Sequence, residues 1–217
     1  MKVLVSIPNQ GWIHKFVTFA AVRLCLDRRH AVNLICPTWN PYEHSLNRIA
    51  IDVLQGGYDY WLNIDDDNPP TNNPLDLLEL FPDVLGCPTP IYHNKGDGEW
   101  PICWSALDAA PEGYREHQPR EGLQDCDAVG SGCMIVGRHV LEGMEPPWFV
   151  RETDGRGLVI NGPDFYFCRK AKAAGFKIQS HFGYPCRHFK EVELIEAIGG
   201  FTGKVEKPLD TGAAATE

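Results

Sequence analysis

Apolar positions in the first third of the chain follow two alternating rhythms. Lys2 to Ile7, Lys-Val-Leu-Val-Ser-Ile, is a short apolar run closed by Pro8, the pattern of a buried strand. From Ile13, the residues Phe16, Val17, Ala20 and Leu24 recur at helical spacing. Ala31 to Cys36 repeats the strand pattern and stops at Pro37. Leu46, Ile49, Ala50, Val53 and Leu54 then mark one face of a second helix, with Gly56-Gly57 as its stop. Tyr58 to Ile64 reads as a third strand. This β-α-β-α-β alternation predicts an α/β fold with a Rossmann-like, mostly parallel central sheet flanked by helices. In such sheets ligands bind beyond the carboxyl ends of the strands.

Beyond Asn73 the rhythm loosens. Pro74 to Phe81 predicts a short helix and Asp83 to Cys87 a short strand. Thr89 to Gln124 is rich in Gly, Pro and charge, and reads as irregular hairpins and loops over the site. Asp127 to Val136 predicts one strand weakened by Gly130 and Gly132, since a glycine inside a strand marks close approach of a ligand or another backbone. A short helix at 138–143 follows, then Pro146-Pro147-Trp148-Phe149. The polar stretch Val150 to Gly162 reads as a lid. Pro163 opens a helix ending near Ala174, and Lys177 to Phe182 is the last strand. The expected organisation is one domain over 1–205 and a disordered tail at 206–217.

Composition narrows this picture. At 217 residues and 43% hydrophobic, the chain suits one medium domain with a substantial core. No apolar run approaches the ~20 residues of a membrane span, and the short, strand-like start does not fit a signal peptide. Eight cysteines without a Cys-x-x-Cys pair suggest buried, reduced thiols in a cytoplasmic protein. A net charge of −9 argues against nonspecific affinity for nucleic acid but leaves room for a phosphorylated small molecule whose charge a metal offsets.

The chemistry concentrates where the third strand ends. Asp65, Asp66 and Asp67 follow an aromatic, apolar run and precede Asn68-Pro69-Pro70. Adjacent carboxylates repel, and a hard divalent cation such as Mg²⁺, Mn²⁺ or Ca²⁺ relieves that repulsion. If strand geometry persists, Asp65 and Asp67 share a face and converge on one ion. His188, just after the last strand, is the candidate third ligand, with His181 as its competitor. Asp164, in the first turn of the helix opened by Gly162-Pro163, suits either a dipole-complementing aspartate or a general base.

Taken in order, these segments resemble glycosyltransferases of the GT-A fold, in the broad family-2-like group that uses nucleotide-sugar donors. Leu62 to Asp67 resembles that family's Asp-x-Asp motif, and Asn47-Arg48 a position ahead of it. Val129 to Val136 with Pro147-Trp148-Phe149 resembles the strand and aromatic segment lining the sugar and acceptor. Gly162 to Phe165 resembles the segment bearing the catalytic base, and Pro185 to His188 the terminal metal segment. The similarity spans about residues 2 to 190. It departs at Pro163, where many members carry a glutamate before the aspartate.

The resemblance implies a single GT-A-like domain and a metal-dependent, inverting transfer from a nucleotide-diphosphate-sugar to a hydroxyl. In that reading Asp164 is the base, and Asp65, Asp67 and His188 hold the metal, with Mn²⁺ favoured over Mg²⁺. Ile7, Pro8, Asn9, Arg48, Asp65 and Asp66 hold the donor, and Gly132 and Trp148 shape the sugar and acceptor pocket. The acceptor stays open among a glycan, a protein, a metabolite and a modified DNA base. Two rivals stand beside this reading. One is a nucleotidyltransferase that makes nucleotide-sugars, although Pro8-Asn9-Gln10-Gly11-Trp12 lacks the basic, glycine-rich loop usual there. The other is a non-catalytic nucleotide-sugar-binding module, which would not need Asp164.

Overall fold

In the computed structural model, which describes residues 1–92, 102–111 and 113–190, the first strands and helices follow the apolar rhythm. They are β1 (Lys2–Ser6), α1 (Lys15–Cys25), β2 (Ala31–Ile35), α2 (Tyr42–Gly56) and β3 (Tyr60–Ile64). The His14 imidazole caps α1 by accepting from the Phe16 N–H, and Gly57 ends α2 at φ 63°, a left-handed conformation that glycine adopts without a Cβ penalty. A 3₁₀ helix at Pro74–Leu80 leads to β4 (Val84–Gly86), β5 (Pro90–Tyr92), β6 (Ile102–Trp104), β7 (Ala106–Ala110) and β8 (Gly113–Glu116). There follow β9 (Leu123–Asp125), β10 (Ala128–Val129), β11 (Cys133–Gly137), α3 (Arg138–Glu142), β12 (Glu152–Thr153), β13 (Val159–Asn161), α4 (Pro163–Ala173) and β14 (Ile178–His181).

Residues Met1–Ile91 and Cys103–Phe189 make one unit. Of the second unit, 92–102 with 190–217, only Tyr92, Ile102 and Lys190 are described, so the tail expected at 206–217 lies outside the described residues.

The main sheet has seven strands in the order β2-β1-β3-β11-β4-β14-β9. It is mixed rather than mostly parallel: β1–β2, β1–β3 and β4–β14 are parallel, whereas β3–β11, β4–β11 and β9–β14 are antiparallel. The helical crossovers read from the sequence govern only the first three strands. β11 arrives from a separate three-stranded sheet, β10-β7-β8, so no crossover helix imposes a parallel direction on it.

The predicted strand over 127–136 is accordingly two strands in two sheets, broken at Gly130-Ser131-Gly132. The stretch read as a lid contains the β12–β13 hairpin, whose Leu158, Val159 and Ile160 are exposed.

Alternation along the strands divides the core between the two faces of the sheet. Leu4, Trp61, Met134 and Val136 pack with α2, α3 and α4 on one face. Val3, Val5, Tyr60, Leu62, Ile64, Cys133 and Ile135 pack with α1 and the 3₁₀ helix on the other. All eight cysteines are free thiols, five of them buried. Among the described residues, no helix is long and apolar enough to cross a membrane.

Asn47 of α2 ties down the segment after α3. Its Oδ1 accepts from the backbone N–H groups of Trp148 (2.9 Å) and Phe149 (3.1 Å), while its Nδ2 donates to the Phe149 carbonyl at 2.6 Å. Trp148 and Phe149 are buried, so these backbone groups have little water to turn to. Replacing Asn47 with Ala should lower unfolding free energy by about 2–4 kcal/mol, two stranded amide donors being the cause. Urea titration should show a lower midpoint with an unchanged slope.

Candidate functional site

The carboxyl ends of β1, β3, β4 and β14 and the amino end of β11 meet at one edge of the sheet, because β11 runs opposite to its neighbours. A buried polar chain leads to that edge. The Trp61 indole donates to Ser6 Oγ (2.7 Å), Ser6 donates to Asn63 Oδ1 (2.9 Å), and Asn63 Nδ2 donates to the Ser131 carbonyl (2.8 Å). Asp65, the first residue beyond β3, turns toward α2 and α4. There Tyr42 Oη donates to Asp65 Oδ1 at 2.6 Å and lies 3.1 Å from Ser131 Oγ.

Asp164 reaches the same cluster from α4. Its Oδ1 accepts from the Phe165 N–H (3.0 Å) and its Oδ2 from the Ser131 N–H (3.4 Å). Gly162 precedes it because a Cβ there would come within 2.6 Å of Asp164 Oδ1. Two half-buried carboxylates and a phenol thus lie together. Burial pushes Asp65 up to about 6, with its neighbours Asp67, Asp164 and Asp66 adding to the rise and the Tyr42 hydrogen bond opposing it. Burial also raises Asp164, against the pull of the backbone N–H groups of Phe165 and Ser131. Tyr42 is driven well above the usual phenol range, by burial first and then by Asp65.

Asp67 belongs to a different grouping. The strand ends at Ile64, and residues 65–68 form a turn closed by the Asn68 N–H on the Asp65 carbonyl at 3.2 Å. Period-two alternation stops there, which corrects the expectation that Asp65 and Asp67 share a face. Asp67 Oδ2 instead lies 3.6 Å from His188 Nε2, and the Phe189 N–H donates to the Asp67 carbonyl at 3.0 Å. His188 Nδ1 lies 2.6 Å from the Pro90 carbonyl, which only accepts, so Nδ1 carries the hydrogen and Nε2 presents its lone pair to the carboxylate in the neutral ring. Two acceptors facing one another fit a shared cation, and a carbonyl-oriented imidazole is the usual support of a metal-binding histidine. Among the described residues, however, no three His, Cys, Asp or Glu side chains are grouped to hold a metal ion. Asp67 and His188 form a pair, and Asp65 is engaged by Tyr42.

The other expected positions divide. Ile7 is core, and its backbone N–H continues the sheet by donating to the Ile35 carbonyl. Pro8 is buried, and the Asn9 carboxamide shapes its own loop by donating to the carbonyls of Ile7 and Pro37 and accepting from the Gly11 N–H. Asp66 holds the loop before α1 through its carbonyl, which accepts from the His14 N–H at 2.8 Å. Arg48 is exposed, 3.5 Å from Asp52 and above the Trp39 ring, and neither contact brings it to the carboxylates. Gly132 does sit at the site: a Cβ there would lie 3.1 Å from Thr89 Oγ1 and 3.3 Å from Asn68 Cγ.

Trp148 is turned into the core. It is 5% exposed, and its indole N–H donates into the core, to the carbonyls of Leu141 and Met144. Sequence reasoning missed Tyr42, Asn63 and Ser131. An asparagine inside the apolar run Tyr-Trp-Leu-Asn-Ile was the available signal for Asn63.

Fold and site together define an α/β protein with a mixed sheet and a partly buried acidic cluster at its strand ends. In overall structure it is similar to A197 from STIV, with a TM-score of 0.60 and 16% identity over 88% of this chain and 87% of that one, a likeness that establishes a shared fold. Two structures of HddC from Yersinia pseudotuberculosis, one complexed with GMP-PN, align at TM-scores of 0.34 and 0.36 with 12% and 10% identity. The first alignment covers 86% of this chain and 72% of that one, the second 94% and 99%, and both scores are too low to indicate a common fold. Neither a family model nor a curated protein matches the sequence.

The raised Asp65 has a consequence for stability. Its folded value, about 6, exceeds the ordinary 3.8, so ionisation weakens the fold. The penalty is absent below about pH 4, grows as pH rises towards 6 and is complete above it. Asp65→Asn keeps the shape and an acceptor for Tyr42. It should raise Tm at pH 8 and lose that advantage near pH 4, and an equal difference at both pH values would exclude the charge as its origin.

Proposed function

We propose that this chain is a GT-A-like glycosyltransferase that moves a sugar from a nucleotide-diphosphate-sugar to an acceptor hydroxyl, with inversion. The observation that carries the reading is the meeting, at one sheet edge, of a half-buried aspartate held by backbone N–H groups with a carboxylate–imidazole pair. In this reading Asp164 takes the acceptor's proton as the new oxygen–carbon bond forms and the bond to the nucleotide diphosphate breaks. Burial brings its proton affinity closer to neutral pH, and the Ser131 and Phe165 N–H groups fix the orientation of the carboxylate. Tyr42 holds Asp65 beside it, and the tight packing at Gly132 keeps Asn68 and Thr89 in place along the same edge.

A divalent metal, Mn²⁺ before Mg²⁺, fits the Asp67–His188 pair, where hard carboxylate oxygen and imidazole nitrogen are apt donors. Such an ion, when bound, supplies Lewis-acid stabilisation of the departing diphosphate.

Two variants separate catalysis from binding. Asp164→Asn should cut transfer by about 10²–10⁴-fold with donor affinity nearly unchanged. Near-normal turnover on the true acceptor would remove Asp164 as the base and with it the inverting mechanism proposed here. Asp67→Ala should abolish the Mn²⁺-dependent part of donor binding in isothermal titration while the fold persists by circular dichroism. Undiminished binding in that variant would defeat the metal assignment.

A further inference from the structure

A groove of about 590 Å³ lies beside the carboxylate turn, lined by Phe16, Phe19, Val22 and Arg23 of α1, by Pro69–Thr71, and by Arg187. That volume falls within the ~300–1,000 Å³ of small-molecule sites. Neither wall is a loose loop. Helix α1 buries Val17, Ala20, Ala21 and Leu24, so Phe16, Phe19 and Arg23, at i, i+3 and i+7, share the opposite side. The facing wall is held by backbone pairing: the Arg187 N–H donates to the Pro69 carbonyl (3.0 Å), the Thr71 N–H to the Pro185 carbonyl (3.1 Å), and Pro70 bridges Cys186.

The lining combines two kinds of side chain that gain nothing from water together. Phe19 is 59% exposed and Val22 52%, a contiguous apolar strip on an otherwise well-packed helix. Seven of the described arginines pair with carboxylates. Arg23 and Arg187, like Arg28 and Arg115, form no ion pair among the described residues, and the Arg187 guanidinium stands over the Phe16 ring, 5.6 Å from its centroid. Two guanidiniums call for an anion that accepts in their plane, and phosphate is the best match. The exposed Phe19 ring, with half-buried Phe16 6.4 Å away, calls for a flat apolar partner, and a nucleobase stacks on such platforms. A bare sugar offers neither group, and the chain's net charge of −9 opposes a long polyanion.

We infer that this groove is a mononucleotide site, taking the phosphate between Arg23 and Arg187 and the base against Phe16 and Phe19. It is separate from the donor site proposed above and does not depend on that reading. Its occupancy bears on the carboxylate turn, because Pro69 lies two residues beyond Asp67 and Arg187 directly precedes His188.

The test is anisotropy titration of the full chain with a fluorescent N-methylanthraniloyl-AMP in EDTA, which silences any metal-dependent donor binding. Saturable binding is expected, displaced by unlabelled AMP. Phe19→Ala and Arg187→Ala should each weaken it about tenfold or more, with Arg23→Glu at least as damaging. All three groove positions are on the surface, so the variants should keep the wild-type Tm. Three results would overturn the assignment: no binding in EDTA, binding indifferent to the groove variants, or sedimentation showing a dimer that Phe19→Ala disperses, which would give the groove to a second copy. Failure here with Mn²⁺-dependent donor binding intact would leave the transferase reading standing.

Discussion

The site hangs on one fully buried carboxamide. Asn63 sits in the central strand β3, bonded to Ser6 of the neighbouring strand and to the Ser131 carbonyl of the glycine-rich turn. A buried amide must satisfy both its donor and its acceptor, so its position dictates where β1 and the 130–132 turn stand relative to β3. Once the turn is fixed, the Ser131 N–H meets Asp164, its hydroxyl meets Tyr42, and the Gly132 carbonyl receives the Asp65 N–H at 2.8 Å. Three elements distant in sequence are thereby held around two carboxylates.

That arrangement works against the stability of the fold. Asp65 and Asp164 interact electrostatically where each is partly withdrawn from solvent, and both are raised from their ordinary values. Hydrogen bonds from Tyr42 and from backbone N–H groups offset part of the cost without neutralising the charge. Raised, well-oriented carboxylates are the kind of group that acid–base chemistry uses. The Asp67–His188 pair adds a second such spot, its imidazole fixed from behind by the Pro90 carbonyl.

Local signals carried a good share of the architecture. Pro8 and Pro37 close the first two strands, and Gly57 ends α2 where the glycine pair stands. Asp164 at the start of α4 was legible for the same reason: Gly162-Pro163 is a strong helix-opening signal. Trp148 was misread because an aromatic after a proline pair gives no sign of which side it faces. Its indole N–H found carbonyls in the core, and the segment was pulled inward by Asn47. The antiparallel insertion of β11 escaped notice as well, since strand direction depends on the path of the chain between sheets.

The amino-acid sequence by itself determined the α/β alternation, the positions of the strand and helix ends, and the concentration of acid groups at one strand terminus. These follow from periodicity, turn chemistry and charge, all of which act over a few residues. Only the tertiary structure decided which carboxylates keep company. The turn at 65–68 sends Asp65 to Tyr42 and Asp164 and sends Asp67 to His188, although the two aspartates are two residues apart. The physical reason is that strand parity ends with the strand, and beyond it each side chain goes where buried hydrogen-bond partners from remote segments can receive it.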